Sequence, residues 1–446
     1  MKNFYVFAAS MLIGANVWAA QPFTKGNLVL YRVGDGVAAF DKNAAPVFLD
    51  EYKIEADGML KLVQSVAMPV QTNGTNMRLT LPCTSHMEGA MTRSEDGRYL
   101  VVPGYNAEVG ASVTDVERVG ALVDYQGNVD ATTGMPSSCL TSFRGVASSD
   151  GSGIYFSGST KAGSTPGSLF YSAKGGIVPN QLNASGTLRH VRVIDGQLLT
   201  GSDSYWYEIG EGLPTADEQV RKEMMKYYQK AGFYDIYIAH LPQGKVAYVA
   251  STGATLNNVA YKGIFKYSLV EDAWVYNGRT APTTNCHGLE GKVDESGLVT
   301  LYITVGNASA TDVDKVNDRK ELEYNEERIC MLTDNSGFNN SGFEGTAVKE
   351  VLKAPVNQAY RAIAWAPLQD AITSVAETKT QKAHVRVEQG AVVVVSAVPV
   401  EITVYSVLGN KVYEGSEING EYRIEGLAPG QLYVVKAGEL VKKVIL

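Results

Sequence analysis

Cysteine is scarce in this chain. Its four residues among 446, Cys83, Cys139, Cys286 and Cys330, are too few to hold a fold together by disulfides alone. Long apolar runs are missing as well. The stretch from Phe4 to Trp18 is too short to cross a bilayer as a helix, and Ala391 to Val400, broken by Pro399, reads as a buried strand. Charge is modest, with 39 Lys and Arg against 47 Asp and Glu. The formal net charge of -8 argues against the basic stripe that a nucleic-acid surface requires. Catalytic signatures are lacking too: there is no G-x-S-x-G elbow, no H-E-x-x-H pair, no P-loop and no dinucleotide fingerprint. What the chain does have is Gly (45) and Tyr (25), a composition of turns and strands, and a length that suggests about two or three domains.

From Gln21 to Pro367 the sequence repeats with a period of about fifty residues, the mark of propellers and solenoids. Each copy sets one charged residue before a short apolar strand, then a tight turn and a second strand. The clearest copy is Glu88-Gly89-Ala90-Met91-Thr92, Asp96-Gly97 and Arg98 to Val102. It is followed by Arg144 to Ala147 with Asp150-Gly151, Arg189 to Val193 with Asp195-Gly196, Asp235 to Ala239 with Gln243-Gly244, and Glu290 to Val293 with Ser296-Gly297. The last copy, Arg361 to Pro367, lacks its second strand, while Gly26 to Val33 is a strand without a partner. Pairing these two closes a ring and removes the sheet edges that invite aggregation. Pro46 to Tyr52 and Leu60 to Met68 complete the shared blade.

The expected fold is therefore all-β: a β-propeller of six four-stranded blades, with seven the alternative that uneven spacing allows, followed by a small C-terminal β-sandwich. The segments Gly26 to Gly36, Pro46 to Tyr52, Leu62 to Ser65, Glu88 to Tyr105, Thr300 to Tyr302 and Tyr360 to Pro367 resemble a family of bacterial extracellular β-propeller proteins. That resemblance implies the fold and an extracellular setting, and no activity.

The two ends of the chain carry an address. Lys2, the short apolar run and Ala19-Ala20 form the pattern of a cleavable export signal over residues 1–20. At the other end Val404 to Gly409, Gly426 to Gly430, Tyr433 to Lys436 and Val441 to Leu446 resemble the type A sorting domain that type IX secretion reads at a cargo's C-terminus. The resemblance implies an immunoglobulin-like module over residues 383–446 and partnership with the type IX machinery. It also implies passage through the periplasm to release or attachment at the cell surface. Residues 21–368 are then the propeller, and the polar stretch 369–382 is the linker.

Two segments break the β rhythm. Thr215 to Gly232 has a capping box (Thr215, Glu218), an apolar stripe (Val220, Met224, Tyr227, Tyr228) and a terminal glycine, and is expected to be a helix. Ala308 to Arg328 is a charged loop. Its Asp312, Asp314, Asn317 and Asp318 are oxygen donors without the glycine and glutamate of a calcium-binding loop.

In a propeller the first strand of each blade lines the central channel, so the charged residue of each copy should join a ring: Glu88, Arg144, Arg189, Asp235, Glu290 and Arg361. Three are acidic and three basic. One reading is a closed ion-pair network; the other is a polar pocket whose arginine forks receive an anionic or sugar-like ligand. The balance of charge weighs towards the network. Just before ring positions stand Cys83 with His86, Cys139, and Cys286 with His287, in spacings that match no standard zinc pattern. No metal or other cofactor is expected. On an oxidising export route a Cys83–Cys139 disulfide is the preferred pairing, with Cys286–Cys330 a second candidate. The expected role is binding of a glycan, a peptide or an envelope protein. The alternatives are an extracellular hydrolase using Glu88, Asp235, Glu290 and His287 as acid and base, and a purely structural surface component.

Overall fold

The computed structural model describes residues 21–83, 87–160, 168–182, 186–227, 232–256, 259–280, 285–306, 327–370, 384–388, 390–407, 409–438 and 440–446. The N-terminal apolar run, His86, Asp312, Asp314, Asn317, Asp318 and most of the expected linker lie outside them. The chain divides into two compact units, Met1–Ala371 and Ile372–Leu446.

The first unit is made of hairpins. Between Val191–Ile194 and Gln197–Gly201 the turn residues Asp195 and Gly196 both adopt positive φ, 54° and 69°, the two-residue turn whose twist matches that of the flanking strands. Four such strands make a blade. Blade one joins the ends of the unit: Ala359–Trp365 pairs with Leu28–Val33, that strand with Ala44–Ile54, and that in turn with Leu60–Ala67, all antiparallel. Blades two to six run outward from the inner strands Thr92–Arg93, Ser142–Ala147, Val191–Ile194, Phe233–Leu241 and Asn285–Val293. Each inner strand packs on the next, and Ala359–Trp365 packs on both Asn285–Val293 and Thr92–Arg93. Among the described residues no sheet closes on itself; the ring closes between sheets. The architecture is a β-propeller of six four-stranded blades. A short strand, Thr80–Pro82, stitches blade one to blade two by pairing with Ala44 to Pro46 and with Tyr105.

Alternation explains why the first strand reads as an unbroken apolar run. Val29, Tyr31 and Val33 pack in one cluster with Leu100, Val102 and Val119 of blade two, while Leu28 and Leu30 pack in another with Tyr302 and Ile329 of blade six. Both faces of the sheet are buried, and each fully buried aliphatic or aromatic side chain contributes about 1.5–3 kcal/mol.

The helix expected over Thr215–Gly232 is not formed: among the described residues there is no α-helix, and the one helical element is the 3-10 turn Ser341–Gly345. Instead Arg221–Lys226 is the outer strand of blade four, paired with Tyr205–Ile209. Glu218, the expected capping residue, takes φ 65°, outside helical space, and the Gln219 amide bonds the carbonyls of Ala216 and Asp217. The expected stripe is split by the strand: Val220 is 75% exposed, Met224 and Tyr227 are half-buried against the core, Met225 is buried opposite Trp206, and Tyr228 lies outside the described residues. Among the described residues no helix is long and apolar enough to cross a membrane.

The second unit is one five-stranded antiparallel sheet folded over a core. Its longest strand, Ala391–Ser406, pairs with Lys411–Ile424 along one edge and with His384–Glu388 and then Leu432–Ala437 along the other. Its register breaks between Ser396 and Val400, where the strand bends. Val385, Val392, Val394, Ile402, Val404, Tyr433, Val435 and Val444 fill the fold, and Lys442 Nζ donates to the Val385 carbonyl at 2.7 Å.

Candidate functional site

Five of the six inner strands are interrupted at the same level. The ladder skips Arg144 between Phe143 and Gly145, Tyr234 between Phe233 and Asp235, His287-Gly288 between Cys286 and Leu289, and Arg361 between Tyr360 and Ala362. In blade four Arg189 N–H donates to the Gly201 carbonyl while Gly201 N–H donates to that of His190, again setting two residues against one. In blade two Gly89, at φ 90°, turns the chain after Glu88, and Ala90 bridges in parallel to Gly145. A bulge re-aims the side chain of its extra residue. Here it assembles Glu88, Arg144, Arg189, His190, Tyr234, His287 and Arg361 at one mouth of the channel.

Contacts run across the ring as well as around it. Arg189 of blade four donates to Met87 Sδ, at the start of blade two, at 3.3 Å, and to the Tyr234 hydroxyl at 2.7 Å, with its guanidinium 4.7 Å from the Tyr234 ring centre. Tyr234 stands edge-on to both His190 and His287, at 5.5 and 5.8 Å. Two of the three mouth arginines have carboxylate partners from outside the expected ring. Arg189 pairs with Asp203. Arg361 pairs with Glu327 at 2.7 Å and also donates to the Cys83 carbonyl.

Arg144 differs. It is 5% exposed, and its Nε and Nη1 have no hydrogen-bond partner. Burial lowers its pKa, opposed by the nearby Tyr234 and Glu88 and reinforced by Arg189. Glu88 Oε2 is buried without a partner too. Burial pushes the Glu88 carboxyl up to about 7, against the pull of Arg144, Tyr105, Arg118 and Arg361. Each buried polar atom left unpaired costs about 1–3 kcal/mol.

Deeper in the channel the polar groups satisfy one another. Arg192 grips Asp235 with two bonds of 2.7 and 2.8 Å and crosses to the Leu289 carbonyl at 3.0 Å, while Asp235 also accepts from Leu289 N–H at 2.9 Å and Ile236 N–H at 2.9 Å. Burial opposes ionisation of Asp235, yet Arg192 and His190 hold its carboxyl well below the usual range. Glu290 accepts from Gly291 N–H at 3.0 Å, and burial raises its pKa against the pull of Arg192 and Arg93.

The six expected ring residues are thus split. Glu88, Arg144, Arg189 and Arg361 meet at the mouth, whereas Asp235 and Glu290 lie deeper and their places are taken by Tyr234 and His287. No two of the six are joined by a hydrogen bond or ion pair, so the expected self-satisfied network is replaced by pairs with Arg192, Asp203 and Glu327. The bulges explain the shift, since each displaces the inward position by a residue or more. All four cysteines are free thiols, and the expected Cys83–Cys139 disulfide is not present. Cys286 and Cys330 sit on strands that flank a common neighbour, Val299–Gly306. That places them roughly 10 Å apart, beyond the about 7 Å a disulfide tolerates. Among the described residues no group of three or more His, Cys, Asp or Glu is placed to hold a metal ion.

No family model matches the chain, and no curated protein matches it. Solved structures are similar to it at low identity. Dihydro-heme d1 dehydrogenase NirN, in complex with DHE, is 11% identical over 90% of this chain and 76% of its own, with a TM-score of 0.35. PorZ, a bacterial surface component of the type-IX secretion system of Porphyromonas gingivalis, is 11% identical over 91% of this chain and 64% of its own, with a TM-score of 0.30. The GH43 protein BlXynB from Bacillus licheniformis is 9% identical over 84% of this chain and 83% of its own, with a TM-score of 0.33. At such TM-scores none of them bears on ligand or chemistry.

Proposed function

We propose that the chain is an exported binding protein that receives its ligand at the mouth of the propeller channel. The observation that carries this reading is the contrast between the two layers. The deep layer is internally satisfied, whereas the mouth holds buried donors and an acceptor, on Arg144 and Glu88, that nothing in the described residues uses. Buried polar groups are ordinarily paired, and groups left open at the rim of a channel are what a ligand would pair. Five repeated bulges aim side chains at that spot, an arrangement with little purpose in a plug.

The hydrolase reading is weaker on the same geometry. Asp235 is held by Arg192, and Glu290 lies in the deep layer between Arg192 and Arg93, so Glu88 lacks a free carboxylate to act with. Export, display at the cell surface and recognition by the type IX machinery belong to the same proposal. They rest on the residues of the two ends described above.

The test is a glycan and peptide array probed with the full chain. Retention of one ligand class is expected. Silence on the array together with turnover of a chromogenic glycoside would reverse the order of the two readings.

A further inference from the structure

The charges at the mouth do not balance. Arg189 is matched by Asp203 and Arg361 by Glu327, but no ion pair or hydrogen bond joins the Arg144 side chain to any described residue. Of its acidic neighbours, Asp203 is already paired with Arg189, and Glu88 is raised to about 7 by burial and so carries only part of a charge near neutrality. A guanidinium 95% buried with idle donors is a costly arrangement unless an anion completes it. The deficit is a single charge. A planar carboxylate matches both that charge and the guanidinium fork. A phosphate dianion does not, because it would set a second negative charge against the open Glu88 oxygen. That oxygen is an acceptor and calls for a donor.

We propose that the mouth is a site for a small carboxylate carrying a neighbouring hydrogen-bond donor, the carboxylate seated on Arg144 and the donor on Glu88 Oε2. This rests on the binding reading above and names its ligand chemistry. Two sources present that chemistry: an acidic sugar, whose carboxylate stands beside ring hydroxyls, and a free amino acid, whose carboxylate stands beside an ammonium. Tyr234 and Arg189 lie beside Arg144 at this seat.

The experiment is a calorimetric titration of the full chain at pH 7 with glucuronate, serine, glucose, serinamide and inorganic phosphate, repeated on Arg144→Met and Arg144→Lys. Glucuronate or serine is expected to bind at least about tenfold tighter than its carboxylate-free counterpart, because charge-assisted bonds to a buried guanidinium contribute about 1.5–3 kcal/mol. Which of the two binds identifies the source. Arg144→Met is expected to lose that advantage while melting at or above the temperature of the unsubstituted chain without ligand, since an unpaired buried charge has been removed. Arg144→Lys, which keeps the charge and loses the fork, is expected to bind between the two.

A clear drop in the ligand-free melting temperature of Arg144→Met would make Arg144 a structural residue and overturn the proposal. So would phosphate binding as tightly as the carboxylates, or carboxylate binding unchanged in Arg144→Met. If the titrations are silent while the array retains a neutral ligand, the carboxylate proposal fails and the binding reading stands. Silence in both removes the two together.

Discussion

Replacing Glu88 by glutamine gives the most quantitative prediction. Burial raises this carboxyl from an ordinary 4.5 to about 7. For an acid this means that the folded state holds the proton more tightly than the unfolded chain does. The stabilisation is fully present below about pH 4.5 and is lost as pH rises through about 7. The size of the shift corresponds to about 3 kcal/mol. Glutamine mimics the protonated side chain and does not titrate. The stability of Glu88→Gln relative to the unsubstituted chain should therefore grow by about 3 kcal/mol between pH 4.5 and pH 8. Urea unfolding followed by tryptophan fluorescence measures it cleanly, because Trp206, Trp274 and Trp365 belong to the first unit and no tryptophan lies in the second. Other buried groups whose pKa values burial shifts, Glu290 and Glu327 upwards and His190 downwards, are common to both chains and cancel in the difference. A flat difference would refute the reasoning. A difference of opposite sign would mean that Glu88 is a stabilising ionic partner of Arg144, and that the mouth is not open.

Three further outcomes are expected. Asp235→Ala leaves Arg192 buried without its partner and should cost about 3–5 kcal/mol in urea unfolding, most of it recovered in an Arg192→Met, Asp235→Leu double variant. Gly145→Ala puts a methyl group 2.6 Å from Ala90 Cβ, where the inner strands of blades two and three meet, and should lower stability by about 1–3 kcal/mol on the same assay. Burial pushes Cys83 up to about 12 and Cys330 up to about 11, and raises the more exposed Cys139 without taking it out of solvent. Alkylation of the native chain at pH 8, read by mass spectrometry, should therefore begin at Cys139, and four thiols should react once the chain is denatured without reductant. Fewer than four would mean that a disulfide forms.

Much of the fold was legible because propeller blades repeat. Charged residue, strand, tight turn and strand recur along the chain. The half-blade at Arg361 to Pro367 and the orphan strand at Gly26 to Val33 announce their own pairing, which the register of Leu28 with Trp365 bears out. The helix over Thr215–Gly232 was misread because Val220, Met224 and Tyr227 fit a 3.6-residue stripe, while Glu218 adopts a left-handed conformation that only the folded blade reveals.

The site was half legible. Glu88, Arg144, Arg189 and Arg361 follow from the repeat, but Tyr234 and His287 do not, because a bulge moves the inward position by a residue or more and leaves no mark in a period-two pattern. Arg192 was within reach: it follows Arg189 and His190 in the same strand and points inward once their bulge is counted. Asp203 and Glu327 were not, because they arrive from a bend between outer strands and from the start of a third strand. Such partners depend on tertiary register rather than on local sequence.

The most direct test of binding at the channel mouth is amide hydrogen exchange of the full chain with and without the compound most strongly retained on the array. Protection is expected in peptides covering residues 87–93, 142–147, 189–192, 233–236, 285–290 and 359–362, the six places where inner strands reach the mouth. Protection confined to outer strands such as Leu60–Ala67 or Arg221–Lys226, with those six unchanged, would contradict it.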